Sequence, residues 1–466
     1  MPQKFPISNP TIHAIGITED TLTDRGGLAL FLRYVDRVNV LPLLGHVFRS
    51  LRRSRKGLPL EILFKQVLAF FADGTSFALT RFDEVKREAG WAGILEIPGK
   101  LLASSHMVKR FFKGFGHNRI WWFRSVFQEI FLWRLQVEQP NEIILGLDTT
   151  ILDNDDAKKR EGVSPTYRGV IGFAPLLLSW GPYLIDAVFR GGKKHGNHGE
   201  TVVRMVEHVV EKIRARYRMD IPILLVCDAA FFDQVNFDAF DRLGIAYIVA
   251  GRVYEDLKNY VAGQEGDAWG RLEGEGEHWE WMEVGSRRKS WSRFRRAVYW
   301  RYRSRDGQLY LDLARPDRVV YTNLGVHTEV TETFNRHGVG HYADPAEIVR
   351  LYHGRGRDEL VIRAMKDFGT ERMPMKNFLA NAAYFYSMAL SFVLYEAFKV
   401  DVAALILPVT AYATTVRRTL FDFAAKLVTT GRRIILKVTS ATFHRVKLDW
   451  LWEAANAPPP ISPLPA

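Results

Sequence analysis

Residues 142–148 read EIILGLD and residues 221–228 read IPILLVCD. Each is a short apolar run that closes on an acid, Asp148 in the first and Asp228 in the second. Between them, GFAPLLLSW (172–180) and YLIDAVF (183–189) read as strands, the first opened by Gly172. NHGETVVRMVEHVVEKIRARY (197–217) reads as an amphipathic helix, with Asn197 and Glu200 in a capping-box pattern. A short helix and the strand IAYIVAG (245–251) follow Asp228. Strands that alternate with helices predict a mixed α/β layer containing parallel pairs.

Upstream the periodicity is helical. ALFLRYVDRVNVLPLLGHVF (29–48) and EILFKQVLAFFADG (61–74) repeat apolar residues at helical intervals, and Gly74 is placed to stop the second. In SSHMVKRFFKGFG (104–116), Ser104 or Ser105 can cap a short helix carrying Lys109, Arg110 and Lys113. Downstream of 252 the rhythm breaks. EGEGEHWEWMEV (273–284) is acidic, whereas residues 286–305 hold nine Lys or Arg and no acid. These predict antiparallel strands whose opposite charges attract across neighbours. Arg interleaved with Trp291, Tyr299, Trp300 and Tyr302 makes Trp291 and Trp300 candidates for DNA contact. The alternative is a salt-bridged, solvated sheet. In GGKKHGNHG (191–199), Lys193 and Lys194 with His195 and His198 read as a flexible basic loop suited to phosphates.

The chain has 466 residues, 47% hydrophobic, enough for a large core, and a net charge of +12. That balance favours an anionic partner, nucleic acid first. The single cysteine, Cys227, excludes a disulfide framework or thiolate metal cluster and fits a reducing, cytoplasmic setting. The opening MPQKFPISNP lacks an apolar signal core, and the apolar run 378–398 carries Asn381, Ser387 and Glu396, so a buried helix is expected there rather than a membrane span.

Ligands of open α/β sheets gather at the carboxyl ends of strands, where Asp148 and Asp228 stand. Aspartates there also cap turns. A third acid, Glu359, lies in YHGRGRDELVIRAMK (352–366), in which Tyr352, Arg355, Glu359 and Lys366 are spaced to share one helix stripe. Asp344, Pro345 and Glu347 give that helix an N-terminal cap, and Gly369 a stop. Three carboxylates without a His or Cys cluster suit Mg²⁺ or Mn²⁺, and two such ions can clamp the attacking and leaving oxygens of a phosphoryl displacement. Gly354 and Gly356 each cost a helix about 1 kcal/mol relative to Ala. They fit either a close approach of DNA backbone or a break in the helix.

The Y-x2-R-x3-E-x6-K pattern resembles the signature of DDE insertion-sequence transposases of the insertion sequence four superfamily. YTNL (321–324) before it, KDFG (366–369) and NFLANAAYF (377–385) after it, and LASSHMVKRFF (102–112) make the layout most similar to the insertion sequence thirteen-eighty subgroup. The sequence departs from that subgroup with AAFF after Asp228 and Leu360 after Glu359, neither of which removes a metal ligand. The resemblance implies a ribonuclease-H-like mixed sheet interrupted by a β-rich insertion. It implies Asp148, Asp228 and Glu359 as catalytic ligands of two Mg²⁺ or Mn²⁺ ions, with Tyr352, Arg355, Arg357, Arg363 and Lys366 on DNA. The expected organisation is a helical DNA-binding region (1–138), a first core segment (139–251), a β-rich insertion with the last core strand (252–343), the Glu helix (344–398), a helical C-terminal region (399–456) and a disordered Pro-rich tail (457–466). The implied function is cutting at terminal inverted repeats and joining of 3′-OH ends to target DNA, by a homodimer or larger multimer on the nucleoid. A domesticated, non-catalytic DNA-binding protein is the alternative.

Overall fold

The computed structural model describes residues 12, 14–51, 57–194, 196–274, 277–303, 317–354, 356–431 and 433–461. The N-terminal part is helical, with α1 (Leu28–Arg37), α2 (Leu60–Asp73), α3 (Ser105–Lys113) and α4 (His117–Glu138). Gly74 stops α2 in the left-handed region at φ +62°. The Ser104 hydroxyl accepts the Met107 amide at 3.4 Å and caps α3.

Both aspartate runs form strands of one nine-stranded sheet. In chain order these strands are β1 (Ile143–Thr149), β2 (Leu176–Trp180) and β3 (Tyr183–Val188), then helix α5 (Thr201–Arg216), β4 (Ile223–Cys227), helix α6 (Gln234–Arg242) and β5 (Ala246–Ala250). After them come β6 (Gly270–Gly274), β7 (Glu277–Ser286), β8 (Arg295–Arg303) and β9 (Arg318–Thr322). Their spatial order is β6-β7-β8-β9-β5-β4-β1-β2-β3. β4 is parallel to β1 and to β5, while β2 runs antiparallel to β1. Leu145, Leu147, Leu225, Cys227 and Tyr247 enter the core on one face, and Leu224, Val226, Ile248, Val298 and Trp300 enter it on the other. Burial on both faces is why these strands read as unbroken apolar runs.

The insertion is no separate β-unit. β9 pairs with β5, Tyr321 opposite Val249, and β8 and β7 continue the same sheet. The expected cross-strand attraction is present: Arg301 lies opposite Glu280 and bonds it at 3.1 Å. Region 252–343 also holds helices Glu255–Ala262 and Thr328–Arg336, which strand patterning missed. The capping box expected at α5 does not form. Glu200 caps without a side-chain bond, because Asn197 instead donates to Asp233 at 3.1 Å and accepts from Asn236.

The striped segment is two helices, α7 (Pro345–His353) and α8 (Gly356–Phe368). Asp344 caps α7 by accepting the Ala346 and Glu347 amides, with Pro345 in the first turn. The break at Gly354 replaces the single continuous helix that the spacing predicts, with Gly354 ending α7 and Gly356 opening α8. Gly369 lies so close to Met388 that an added Cβ would sit 2.3 Å from its sulfur.

Helix α9 (Phe378–Asp401) is long and apolar enough to cross a membrane by length and composition, but all its residues from 380 to 399 are buried inside the protein. Phe31 packs on Phe398, Phe71 on Tyr384 and Phe123 on Tyr386. The N-terminal helices thus share one core with α9. Arg124 of α4 grips buried Asp186 of β3 through two bonds of 2.7 and 2.5 Å, fixing α4 across the sheet. The start of the tail is ordered rather than free: the Trp133 indole donates to the Pro459 carbonyl, and buried Ile461 bonds the Val38 carbonyl. Residues 462–466 lie outside the described residues.

Candidate active site

Leu147 of β1 pairs directly with Cys227 of β4. Asp148, the next residue of β1, and Asp228, the first residue past β4, therefore lie beside each other at the carboxyl edge of the sheet. Both are half-buried. One oxygen of Asp148 accepts the Thr149 amide at 2.7 Å, and one of Asp228 accepts the Ala230 amide at 2.9 Å. Asp228 thus caps the short turn Ala229–Phe231 as well. Arg190 braces the site from behind. It is buried and donates to the Ala174 and Gly196 carbonyls and to the Thr149 hydroxyl, at 3.0, 3.0 and 3.1 Å. Burial lowers its pKa to about 10, so the guanidinium remains charged at neutral pH.

Glu359, in the first turn of α8, reaches the same place from the other side. Asp148, Asp228 and Glu359 line one cleft of about 750 Å³, together with Tyr352, Arg363 and Lys366. The halves of the broken stripe still face a common space. Tyr352 lies edge-on to Trp300, their ring centres 5.5 Å apart. Lys366 donates to Glu371 at 2.8 Å. Arg355 lies outside the described residues, as does the side chain of Arg357. Among the described residues, no three His, Cys, Asp or Glu side chains gather close enough to hold one ion.

Several expectations need correction. Trp300 is fully buried, and Trp291 is 8% exposed against Phe232, Phe237 and Tyr321. Neither ring is open at the surface, because α7 covers Trp300 through Tyr352 and His353 and three aromatic rings enclose Trp291. Part of the basic stretch 286–305 is neutralised from within. Arg293 and Arg295 bind Asp241 at 2.5 and 2.7 Å, and Arg296 binds Glu283 at 2.9 Å. Lys193 and Lys194 are exposed outside the cleft, a placement compatible with the non-specific phosphate contact expected of them, and Lys194 lies 2.7 Å from the His198 ring nitrogen. His195 lies outside the described residues.

The lining also contains Tyr167, Arg168, Trp279, Arg318 and His353, which the sequence did not single out. Arg318 opens β9 at the end facing the acids, a position that only strand pairing reveals. Tyr167 and Arg168 occupy a turn whose one sequence signal is Gly169, at φ +80°. Trp279 packs on His353 and Tyr302, with ring centres 4.9 and 5.2 Å apart. Counted by permanent charge, the cleft sets three acids against Arg168, Arg318, Arg363 and Lys366.

A family model described as "Transposase DDE domain group 1" matches residues 11–455. No curated protein matches the chain. Among solved structures, the cryo-EM structure of a piggyBac transposase synaptic complex with hairpin DNA is 11% identical to this chain, covering 87% of it and 83% of its own chain, with a TM-score of 0.35.

Proposed function

The chain belongs to the transposase DDE domain group 1 family, and from that premise we propose that it is an active DNA transposase. It cuts at the terminal inverted repeats of its element and transfers the freed 3′-OH ends to target DNA. The observation that carries this reading is the convergence of Asp148, Asp228 and Glu359 on one cleft edged by four permanent cations. We read the sheet order β3-β2-β1-β4-β5, with only β2 antiparallel to its two neighbours, as the ribonuclease-H-like core.

The donor set fits hard divalent ions, since all three acids offer oxygen and no Cys lines the cleft. A pair of ions does not need three carboxylates about one centre. Asp148, Asp228 and Glu359 are the residues that would hold such ions at the cleft. Bound Mg²⁺ or Mn²⁺ supplies Lewis acidity, lowering the pKa of water and stabilising charge at phosphorus. The chain's own residues supply position. Backbone amides hold one oxygen of Asp148 and one of Asp228, which fixes both carboxylates at the cleft wall. Arg168, Arg318, Arg363 and Lys366 draw phosphates toward the acids. Tyr352, fixed against Trp300, borders the same space.

The test is Mg²⁺-dependent cutting and joining of DNA taken from the flanks of the coding sequence. Wild type should do both, and Asp148→Asn should bind the DNA yet do neither. A non-catalytic descendant would bind equally well with either residue and cut with neither.

A further inference from the structure

The turn Thr166–Gly169 stands over the acids on a fixed base. Gly169 donates to the Thr166 carbonyl at 2.9 Å, and Thr166 donates to the Val170 carbonyl at 2.8 Å. With Gly169 at φ +80°, this closes a turn with Tyr167 and Arg168 at its two corners. The arms are pinned on both sides: Ser164 pairs with Gly172, and Asp153 with Gly172 across the other edge. The Lys193 amide donates to Ser164 at 2.9 Å, and Gly172 lies so close to Leu152 that an added Cβ would sit 2.0 Å from its carbonyl oxygen. The corners are therefore held in place rather than carried on a free loop.

On this base, Tyr167 is 55% exposed and lines the cleft. The other aromatic side chains of the cleft are engaged: Trp279 with His353 and Tyr302, and Tyr352 and His353 with Trp300. Tyr167 has no ring neighbour among the described residues. The Arg168 guanidinium lies 5.5 Å from its ring centre. Burial raises the phenol's pKa, Arg168 opposes this, and Asp148 and Asp228 raise it further, so the hydroxyl stays protonated beside an anionic ligand.

We propose that Tyr167 and Arg168 form a subsite for one unpaired nucleotide next to the acids, its base stacked on the open face of Tyr167 and its phosphate held by Arg168. The subsite rests on the DNA-cutting reading above. A two-residue corner presents a single ring, and a ring can stack only on a base face freed from the duplex. Such a nucleotide arises where a strand end frays or is cut. Arg168, beside the ring, supplies a cation for the phosphate of the stacked nucleotide.

The experiment uses the full chain and a duplex from the DNA flanking the coding sequence, either blunt or with a short single-stranded overhang carrying 2-aminopurine. Wild type should prefer the overhang and change the 2-aminopurine fluorescence. Tyr167→Ala should reduce that preference by roughly fivefold or more, while Tyr167→Phe should keep it within about twofold, since the ring is what stacks. Arg168→Ala should lower the salt slope of binding by about one. Tyr167→Ala with an unchanged preference, or a wild type that cuts DNA but does not distinguish overhang from blunt, overturns the subsite alone. A wild type that neither binds nor cuts either duplex overturns the transposase reading with it.

Discussion

Asp148 and Asp228 stand side by side because the residues before them, Leu147 and Cys227, are directly paired on parallel strands. Their proximity is a consequence of sheet register, and a slip of one residue would turn one of them to the opposite face.

Exchange of a carboxylate for the isosteric amide separates the cap from the ligand. Asp148→Asn and Glu359→Gln should each lower Mg²⁺-dependent nicking by more than about a hundredfold, since removing a ligand costs at least as much as removing its outer support. DNA affinity in a gel-shift assay should change only a few-fold. Equal losses of binding and cutting would instead assign these acids a structural role.

Lys366 is held by Glu371 at 2.8 Å in the free protein. Both are partly exposed, so the pair is worth no more than about 1 kcal/mol. Glu371→Gln should free Lys366 and tighten duplex binding about two- to fivefold at low salt. Lys366→Ala should weaken it, as read by fluorescence anisotropy across a salt series.

Trp300 is buried between β8 and α7. Trp300→Ala should cost about 3–5 kcal/mol in urea unfolding. Trp279→Ala, at a half-buried ring on the cleft wall, should cost less. A Trp300→Ala protein of wild-type stability with weakened DNA binding would restore this residue to the DNA surface.

Buried Glu396 pairs with Lys399 at 2.8 Å inside α9. Burial pushes its pKa up to about 7, against the pull of Lys399. The folded protein thus binds a proton that the unfolded chain has already released, so this group's stabilising contribution is full below about pH 4.5 and is lost as pH rises towards 7. The stability difference between wild type and Glu396→Gln should fall by up to about 3 kcal/mol across that window and level off above it. A flat difference from pH 4.5 to 8 would contradict the assignment.

What could be read from the residues alone follows from how local each signal is. The runs ending at Asp148 and Asp228, the Asp344 cap and the Gly74 stop are set by neighbouring residues, and each appears where its pattern placed it. The stripe spacing captured the helical phase of Tyr352, Glu359 and Lys366, but not the break at Gly354, because phase survives a short interruption. The DNA-contact reading of Trp291 and Trp300 meets two buried rings, because alternation with Arg does not reveal that α7 covers Trp300 or that Phe232, Phe237 and Tyr321 enclose Trp291. The free charge of residues 286–305 was overestimated because Asp238 and Asp241 approach from α6, distant in sequence. Tyr167 and Arg168 escaped notice because an exposed aromatic in a turn looks unremarkable until the turn is seen above two carboxylates.

The account depends most on Asp228, which also caps a turn and so has another reason to be where it is. The deciding measurement is strand joining from a pre-cut end in Mg²⁺ by Asp228→Asn, with wild type and a chelator control alongside. The predicted result is joining by wild type that the chelator abolishes, and none by Asp228→Asn despite normal folding and DNA binding. Joining by Asp228→Asn at the wild-type rate would contradict a shared metal site.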